Sequence, residues 1–262
     1  MSVDKPIRLT PSLREKVWGK TRLEPWFRDS KSPVGEAWFL ARRELPLMVK
    51  LIFTSERLSV QVHPDSKTEM SYILDAEPGA AIALGFRQPI TRQRLLESAR
   101  TGEIEQLINW FPVNPGETYF TPAHTVHAVG AGIVLCEILR NSDVTWRLYD
   151  YGRPRDLHVE EAVAISDLGV HPGASRPTPI SENCDELVRC QHFVTELVRL
   201  APGAPHSPTP EVCQMWVCLE GRGAIVGEPF QPGEVWLFPE TGEQPALLAE
   251  TRARFLRTYV PR

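Results

Sequence analysis

The segment Pro115-Gly116-Glu117-Thr118-Tyr119-Phe120-Thr121-Pro122 returns 117 residues later as Pro232-Gly233-Glu234-Val235-Trp236-Leu237-Phe238-Pro239. Each copy reads as a Pro-Gly-Glu turn, a short apolar strand and a closing proline. A second pair agrees with it. Glu69-Met70-Ser71-Tyr72-Ile73-Leu74-Asp75-Ala76 and Gln214-Met215-Trp216-Val217-Cys218-Leu219-Glu220-Gly221 both run an apolar strand into a turn. Such a chain is expected to hold two short β units of similar design, related by duplication. The rest of the sequence is cut by 24 prolines and 17 glycines into short apolar runs, which suits strands and turns and excludes a helical bundle.

Strands are expected at Leu47–Phe53, Leu58–His63, Ala80–Leu84, Thr118–Thr121, Ile133–Leu139 and Thr145–Tyr149 in the first unit. In the second they are expected at His192–Leu200, Cys213–Leu219, Gly223–Val226, Val235–Phe238 and Arg254–Val260. Thr91 is placed to cap a helix that ends near Gly102. A short helical segment follows around Ile104, Leu107 and Ile108, and another spans about Leu157 to Ser166. The aperiodic run Gly169–Pro179 reads as a linker, so the expected division is 1–168, 169–179 and 180–262.

Net charge is −4, from 29 basic and 33 acidic side chains, which leaves no basic excess for holding nucleic acid. Apolar stretches such as Ala128–Cys136 fall far short of the roughly 20 residues of a membrane-spanning helix, and the first residues carry no apolar export signal. Five cysteines, odd in number and set in or beside apolar segments, suit reduced thiols and a cytoplasmic protein.

In Leu58-Ser59-Val60-Gln61-Val62-His63, alternation puts Ser59, Gln61 and His63 on one face and Leu58, Val60 and Val62 on the other. A polar face of this kind on a half-apolar strand is expected to line a cavity. A turn through Pro64-Asp65-Ser66 returns the chain to Glu69, and a later hairpin supplies a histidine from Ala123-His124-Thr125-Val126-His127. By spacing alone either His124 or His127 qualifies. Gln61, His63, Glu69 and His127 together offer two imidazoles and two oxygen donors, a set suited to one zinc or another divalent first-row ion. The second copy has Glu240-Thr241-Gly242-Glu243-Gln244 at the corresponding place and no histidine. His158, His171, His192 and His206 lack polar partners in the pattern and are read as structural or exposed.

A second polar group lies in Glu137 to Asp150. Glu137 shares a face with Leu135 and Leu139, where a buried carboxylate needs a partner. Asp143, Thr145 and Arg147 share a face opposite Val144, Trp146 and Leu148. An ion pair from Glu137 or Asp143 to Arg147 explains these residues as well as catalysis does.

The motifs Gly35-Glu36-Ala37-Trp38, Pro46-Leu47-Met48-Val49-Lys50, Leu58 to Asp65, Lys67-Thr68-Glu69-Met70, Pro122 to Ala128, and Glu137 with Asn141 to Arg153 stand in one order. In that order the chain resembles the type I mannose-6-phosphate isomerases (phosphomannose isomerases), in their short bacterial branch, over residues 15 to 165. The resemblance implies a mainly β fold of two cupin-like jelly-roll barrels with a few peripheral helices. It also implies a zinc site on Gln61, His63, Glu69 and His127, so that His127 and not His124 is the ligand. Catalytic roles fall on Arg147, Lys67, Asp143 and Glu137, and substrate contacts on Ser59, Lys67 and Arg153. The implied reaction interconverts mannose 6-phosphate and fructose 6-phosphate through a cis-enediol, with a sugar phosphate as the small-molecule partner. Ser66 stands before Lys67 where the longer-chain branch has a histidine, and the loops before Pro46 and Lys67 are short. The rival readings are a non-catalytic sugar-phosphate-binding cupin and another bicupin isomerase or dioxygenase.

Overall fold

The computed structural model of the protein describes residues 5–41, 43–208, 212–240 and 247–262. Alternating apolar strands bury one face each, and here four antiparallel sheets stack to bury both faces of the inner ones. The first pair consists of a six-stranded and a five-stranded sheet. The six-stranded sheet runs Thr10–Lys20, Val34–Leu40, Leu47–Phe53, Ile133–Arg140, Glu69–Ala76, Thr118–Thr121. The five-stranded sheet runs Trp146–Tyr149, Val60–Val62, His127–Val129, Ala81–Phe86, Ile108–Pro112. Between them lies a core of Trp18, Ile52, Leu58, Ile73, Leu84 and Leu135. The outer face of the five-stranded sheet is covered by the helices Arg92–Thr101, Ile104–Leu107 and Val159–Ile165, whose Leu95, Ile104 and Ala162 pack on Val60, Val62 and Leu148.

The second pair repeats the first. Its seven-stranded sheet carries Thr178–Ser181, Cys184–Arg189, Val194–Leu200, Ala253–Tyr259, Gln214–Glu220 and Val235–Phe238 in the same spatial order as the six-stranded sheet. A four-stranded sheet closes over it around Trp216, Phe230, Trp236 and Phe255. The two large sheets meet back to back through Phe39, Leu51, Phe53, Phe193, Leu197 and Leu237, which makes one continuous core across both units.

The repeated segments coincide in detail. In the first copy Gly116 N–H donates to the Ile73 carbonyl and Ile73 N–H to the Glu117 carbonyl, each at 2.9 Å. In the second copy Gly233 and Cys218 exchange the same bonds through the Cys218 and Glu234 carbonyls, again at 2.9 Å. The glutamate plays one part in both turns: Glu117 accepts from Asn114 N–H and the Tyr119 hydroxyl, and Glu234 from Gln231 N–H and the Trp236 indole. Strand register matches too, with Glu69↔Thr121 answered by Gln214↔Phe238.

Several expectations are refined. Strand Thr10–Lys20 is an edge strand with only two of its eleven residues buried, so it lacks the apolar alternation that marks the others. The expected strand from Leu58 starts at Val60, and Leu58 packs inside the sandwich instead of sharing a face with Val60 and Val62. Ile7–Arg8 pairs with Val235–Phe238 of the second unit, so the opening residues cross from the expected 1–168 division into the other sheet. The 169–179 stretch is tied to the first unit through a Gly85↔Val170 bridge and Ser175 N–H to Thr118 carbonyl. Of the second-copy segment that replaces the histidines, residues 241–244 lie outside the described residues.

Candidate metal centre and active-site cleft

Gln61 and His127 are direct cross-strand partners at the centre of the five-stranded sheet, so their side chains emerge side by side on its inner face. Glu69 opens its strand in the facing sheet, and His63 follows the Gln61 strand directly, just before the turn that Lys67 N–H closes on the Pro64 carbonyl at 2.9 Å. All three acid or imidazole side chains are buried, His63 at 2%, Glu69 at 3% and His127 at 3% exposure. Their candidate donor atoms all lie within 4.8 Å of one another. His63 Nε2 is 3.4 Å from Glu69 Oε2, His127 Nε2 is 3.3 Å from Glu69 Oε1, and Gln61 Nε2 is 3.2 Å from His127 Nε2.

The hydrogen bonds around this cluster fix its protonation. His63 Nδ1–H donates to the Val144 carbonyl and His127 Nδ1–H to the Thr125 carbonyl, both at 2.9 Å. A carbonyl only accepts, so each Nδ1 carries the proton and each ring turns its Nε2, the lone-pair position of a neutral imidazole, inward. This is the second-sphere arrangement of metal-binding histidines. Burial, aided by the charge of Lys67, lowers the His63 pKa to about 4, which keeps that lone pair free at neutral pH. Burial alone would raise Glu69, yet the charge of the neighbouring Lys67 ammonium leads the effects that hold it well below the usual carboxylate range. Glu69 Oε2 is buried and accepts no hydrogen bond. An ionised carboxylate oxygen in that state, facing imidazole lone pairs, fits a divalent cation. The ammonium of Lys67 already bridges the cluster, 3.0 Å from His63 Nε2 and 3.2 Å from Glu69 Oε2.

Gln61 and Lys67, which touch the cluster, also line a cleft between the two sheets of the first unit. Ser59, Gln61, Lys67, Glu137, Asp143, Thr145 and Arg147 line it, as do Lys16, Glu36, Lys50 and Arg155. Ser59 Oγ donates to Gln61 Oε1 at 3.1 Å and so holds the amide. Arg147 makes no ion pair among the described residues, and its Nε is buried without a hydrogen-bond partner. The ion pair expected from Glu137 or Asp143 to Arg147 is therefore absent. Both acids face Lys50 instead, Asp143 Oδ1 at 3.1 Å and Glu137 Oε2 at 3.9 Å. Burial, then the charge of nearby Glu69, pushes Glu137 up to about 7, and Lys67 and Lys50 oppose the rise. Burial and the neighbouring Arg155 guanidinium lower the Arg147 pKa.

Arg153 is not among the lining residues. Buried Asp150 takes it at 2.7 Å, the Arg57 carbonyl at 2.7 Å, and its guanidinium stacks on Tyr151. Arg155, which donates two bonds to the same Asp150, stands at the cleft wall. His124 points outward to Asp65 at 3.0 Å, in a left-handed backbone conformation, and only His127 joins the cluster. Lys50, Glu36 and Lys16 were not singled out by the sequence reading. The signal for Lys50 is a lone charge inside the strand Leu47–Phe53, every residue of which is buried.

Among the described residues no other group of His, Cys, Asp and Glu side chains is close enough to hold an ion. In the second unit Gln214 has the place of Glu69, and the Gln61↔His127 pairing is answered by His206↔Leu247. Among the described residues the second unit thus keeps the scaffold without a comparable cluster of His, Cys, Asp and Glu side chains.

No protein-family model matches the chain. Among curated proteins it is 27% identical to the mannose-6-phosphate isomerase ManA of Bacillus subtilis, over 89% of this chain and 93% of the relative. YvyI of the same organism, assigned by name to the same family, is 31% identical over 60% of this chain and 67% of the relative. The crystal structure of the mannose 6-phosphate isomerase from Bacillus subtilis superimposes with a TM-score of 0.86 at 23% identity, covering 97% of this chain and 99% of that one. A variant of the phosphomannose isomerase from Salmonella typhimurium gives 0.79 at 17% identity, covering 97% and 99%. Sequence likeness along most of the chain and a shared fold lead to one conclusion: the chain belongs to the mannose-6-phosphate isomerase family.

Proposed function

We propose that this chain is a metal-dependent aldose-ketose isomerase that interconverts mannose 6-phosphate and fructose 6-phosphate. The observation that carries the reading is a buried imidazole and carboxylate cluster joined, through Gln61 and Lys67, to a cleft whose wall carries the cations Lys67, Arg147 and Arg155. Gln61, His63, Glu69 and His127 would hold the ion, and their two nitrogen and two oxygen donors suit zinc. When bound, the ion supplies a Lewis acid that polarises and holds the substrate's neighbouring oxygens.

The reaction takes a proton from one of two adjacent sugar carbons, C2 or C1, and returns it to the other, while a hydroxyl proton passes between their oxygens. We assign the carbon proton to Glu137, a buried carboxyl at the cleft whose pKa near 7 matches the demands of a general base. Lys67 and Arg147 supply positive charge for the enediolate oxygens, and the uncommitted Arg147 can spend its hydrogen bonds on substrate. Arg155 and Ser59 complete a cationic, hydrogen-bonding wall for the phosphate dianion. The five free thiols suit a cytoplasmic setting.

Arg147→Ala tests this assignment. The variant is expected to keep its metal and its fold and to lose about 100-fold in kcat/KM, the usual cost of one positioned donor to a developing oxyanion. Turnover equal to wild type would remove Arg147 from the reaction. For the native protein, mannose 6-phosphate should give fructose 6-phosphate, a chelator should stop it and added zinc should restore it. Turnover indifferent to the chelator would refute the metal-dependent reading.

A further inference from the structure

Asn141 to Thr145 connects the two sheets of the first unit and touches the metal cluster directly, because the Val144 carbonyl takes the His63 Nδ1–H bond at 2.9 Å. Arg147 follows it by two residues. The start of this loop is anchored, with Asn141 N–H on the Pro46 carbonyl and its amide on the Leu45 carbonyl at 2.9 Å. Its middle carries Asp143, whose side chain is 59% exposed and reaches Lys50 Nζ at 3.1 Å.

Lys50 is an unusual residue to find there. It is 2% exposed, and its ammonium lies 4.2 Å from the centre of the Trp38 ring. Trp38 is pinned in turn by its indole N–H on Glu36 Oε2 at 2.6 Å. Cross-strand register places Trp38, Lys50 and Glu137 in one row on three adjacent strands. A buried ammonium persists only where acids surround it, and burial is here outweighed by Glu137, Glu36 and Asp143, which hold Lys50 above its usual pKa. Lys50 thus adds a buried ionic tie between core and loop to the Asn141 bonds and the Ser66–Ser142 hydroxyl pair.

We propose that Lys50 is a positioning residue: its buried ammonium, shared between Asp143 and Glu137, clamps the 141–145 loop so that the Val144 carbonyl orients His63 for the metal and Arg147 faces the cleft. The role rests on the metal-dependent reading above, but its physical content is coupling between Lys50 and a metal ligand it does not touch. Second-sphere partners of this kind usually set metal affinity within 10- to 100-fold.

The test uses zinc affinity, measured by competition with a chelating indicator, and amide hydrogen exchange of residues 141–147 in metal-free protein. Lys50→Met and Asp143→Asn are each expected to weaken zinc binding by about 10-fold or more and to speed exchange in the loop. The double variant should be no worse than the poorer single, because both break one link. Lys50→Arg, which keeps the charge, should recover part of the loss. Unchanged zinc affinity in the single variants, or losses that multiply in the double, would overturn the proposal. Should Lys50→Met fail to fold, Asp143→Asn carries the test alone, since its side chain is largely exposed, and native-like zinc affinity in it gives the same refutation. A failure of the isomerase reading shows separately, as absence of turnover in the zinc-loaded native protein.

Discussion

Replacing His127 by alanine is expected to strip the protein of tightly held metal and to lower kcat/KM by about 10⁴-fold. Losing a ligand removes one inward-facing imidazole nitrogen and opens a cavity beside the Glu69 carboxylate, which then keeps His63 and the Lys67 ammonium beside it. A Lewis acid contributes several kcal/mol of charge stabilisation in such a reaction, and about 5 kcal/mol corresponds to nearly four orders of magnitude. His124→Ala is the control, three residues away and in contact with exposed Asp65, and it should retain both metal and turnover. Atomic spectroscopy of the two purified variants separates them. Metal content in His127→Ala equal to wild type would contradict the ligand assignment.

Glu137→Gln is expected to lower kcat/KM by about 10³-fold, within the range general acid-base groups contribute, while leaving the metal in place. The substitution keeps shape and hydrogen-bonding atoms and removes the ability to carry a proton at neutral pH. It has a second, independent signature in the metal-free protein. The folded pKa of about 7 lies above the ordinary 4.5. Between these values the unfolded chain has released the Glu137 proton and the folded chain still holds it. Stability from this group is therefore fully present below about pH 4.5 and lost as pH rises to about 7. Urea unfolding of metal-free wild type and variant at pH 5 and pH 8 should show Glu137→Gln gaining stability relative to wild type at the higher pH. Equal differences at both pH values would place Glu137 in a solvated setting and weaken its assignment as the proton carrier.

The parts of this molecule that were legible in the sequence are those where one local rule governs the outcome. The helix Arg92–Thr101 is capped by the Thr91 side chain accepting from Arg94 N–H and ends at a left-handed Gly102, as a capping residue and a glycine dictate. The repeated Pro-Gly-Glu turns gave away a duplication because the glutamate bonds that build them are local. The Gln61 and His63 face was visible by alternation, and the structure sets both beside Glu69 and His127. What escaped depends on contacts between distant segments. Strand Thr10–Lys20 is held by pairing with Val34–Leu40 at a sheet edge and has little apolar pattern of its own. Lys50 became visible as the partner of Glu137 and Asp143 only once the Leu47–Phe53 and Ile133–Arg140 register was known, since alternation alone brings Arg147 equally near in pattern. Arg153 and Arg155 are both basic and two apart, both bond Asp150, and no sequence rule says that the Arg57 carbonyl and Tyr151 hold Arg153 while Arg155 stands at the cleft wall.

The most direct test of the account is to incubate zinc-loaded protein with mannose 6-phosphate in D2O and to follow the products by NMR, beside a chelated sample. Proton transfer by a protein carboxylate that exchanges with solvent predicts fructose 6-phosphate carrying solvent deuterium at C1, formed only in the metal-loaded sample. Folded, zinc-loaded protein that leaves mannose 6-phosphate unchanged would contradict it.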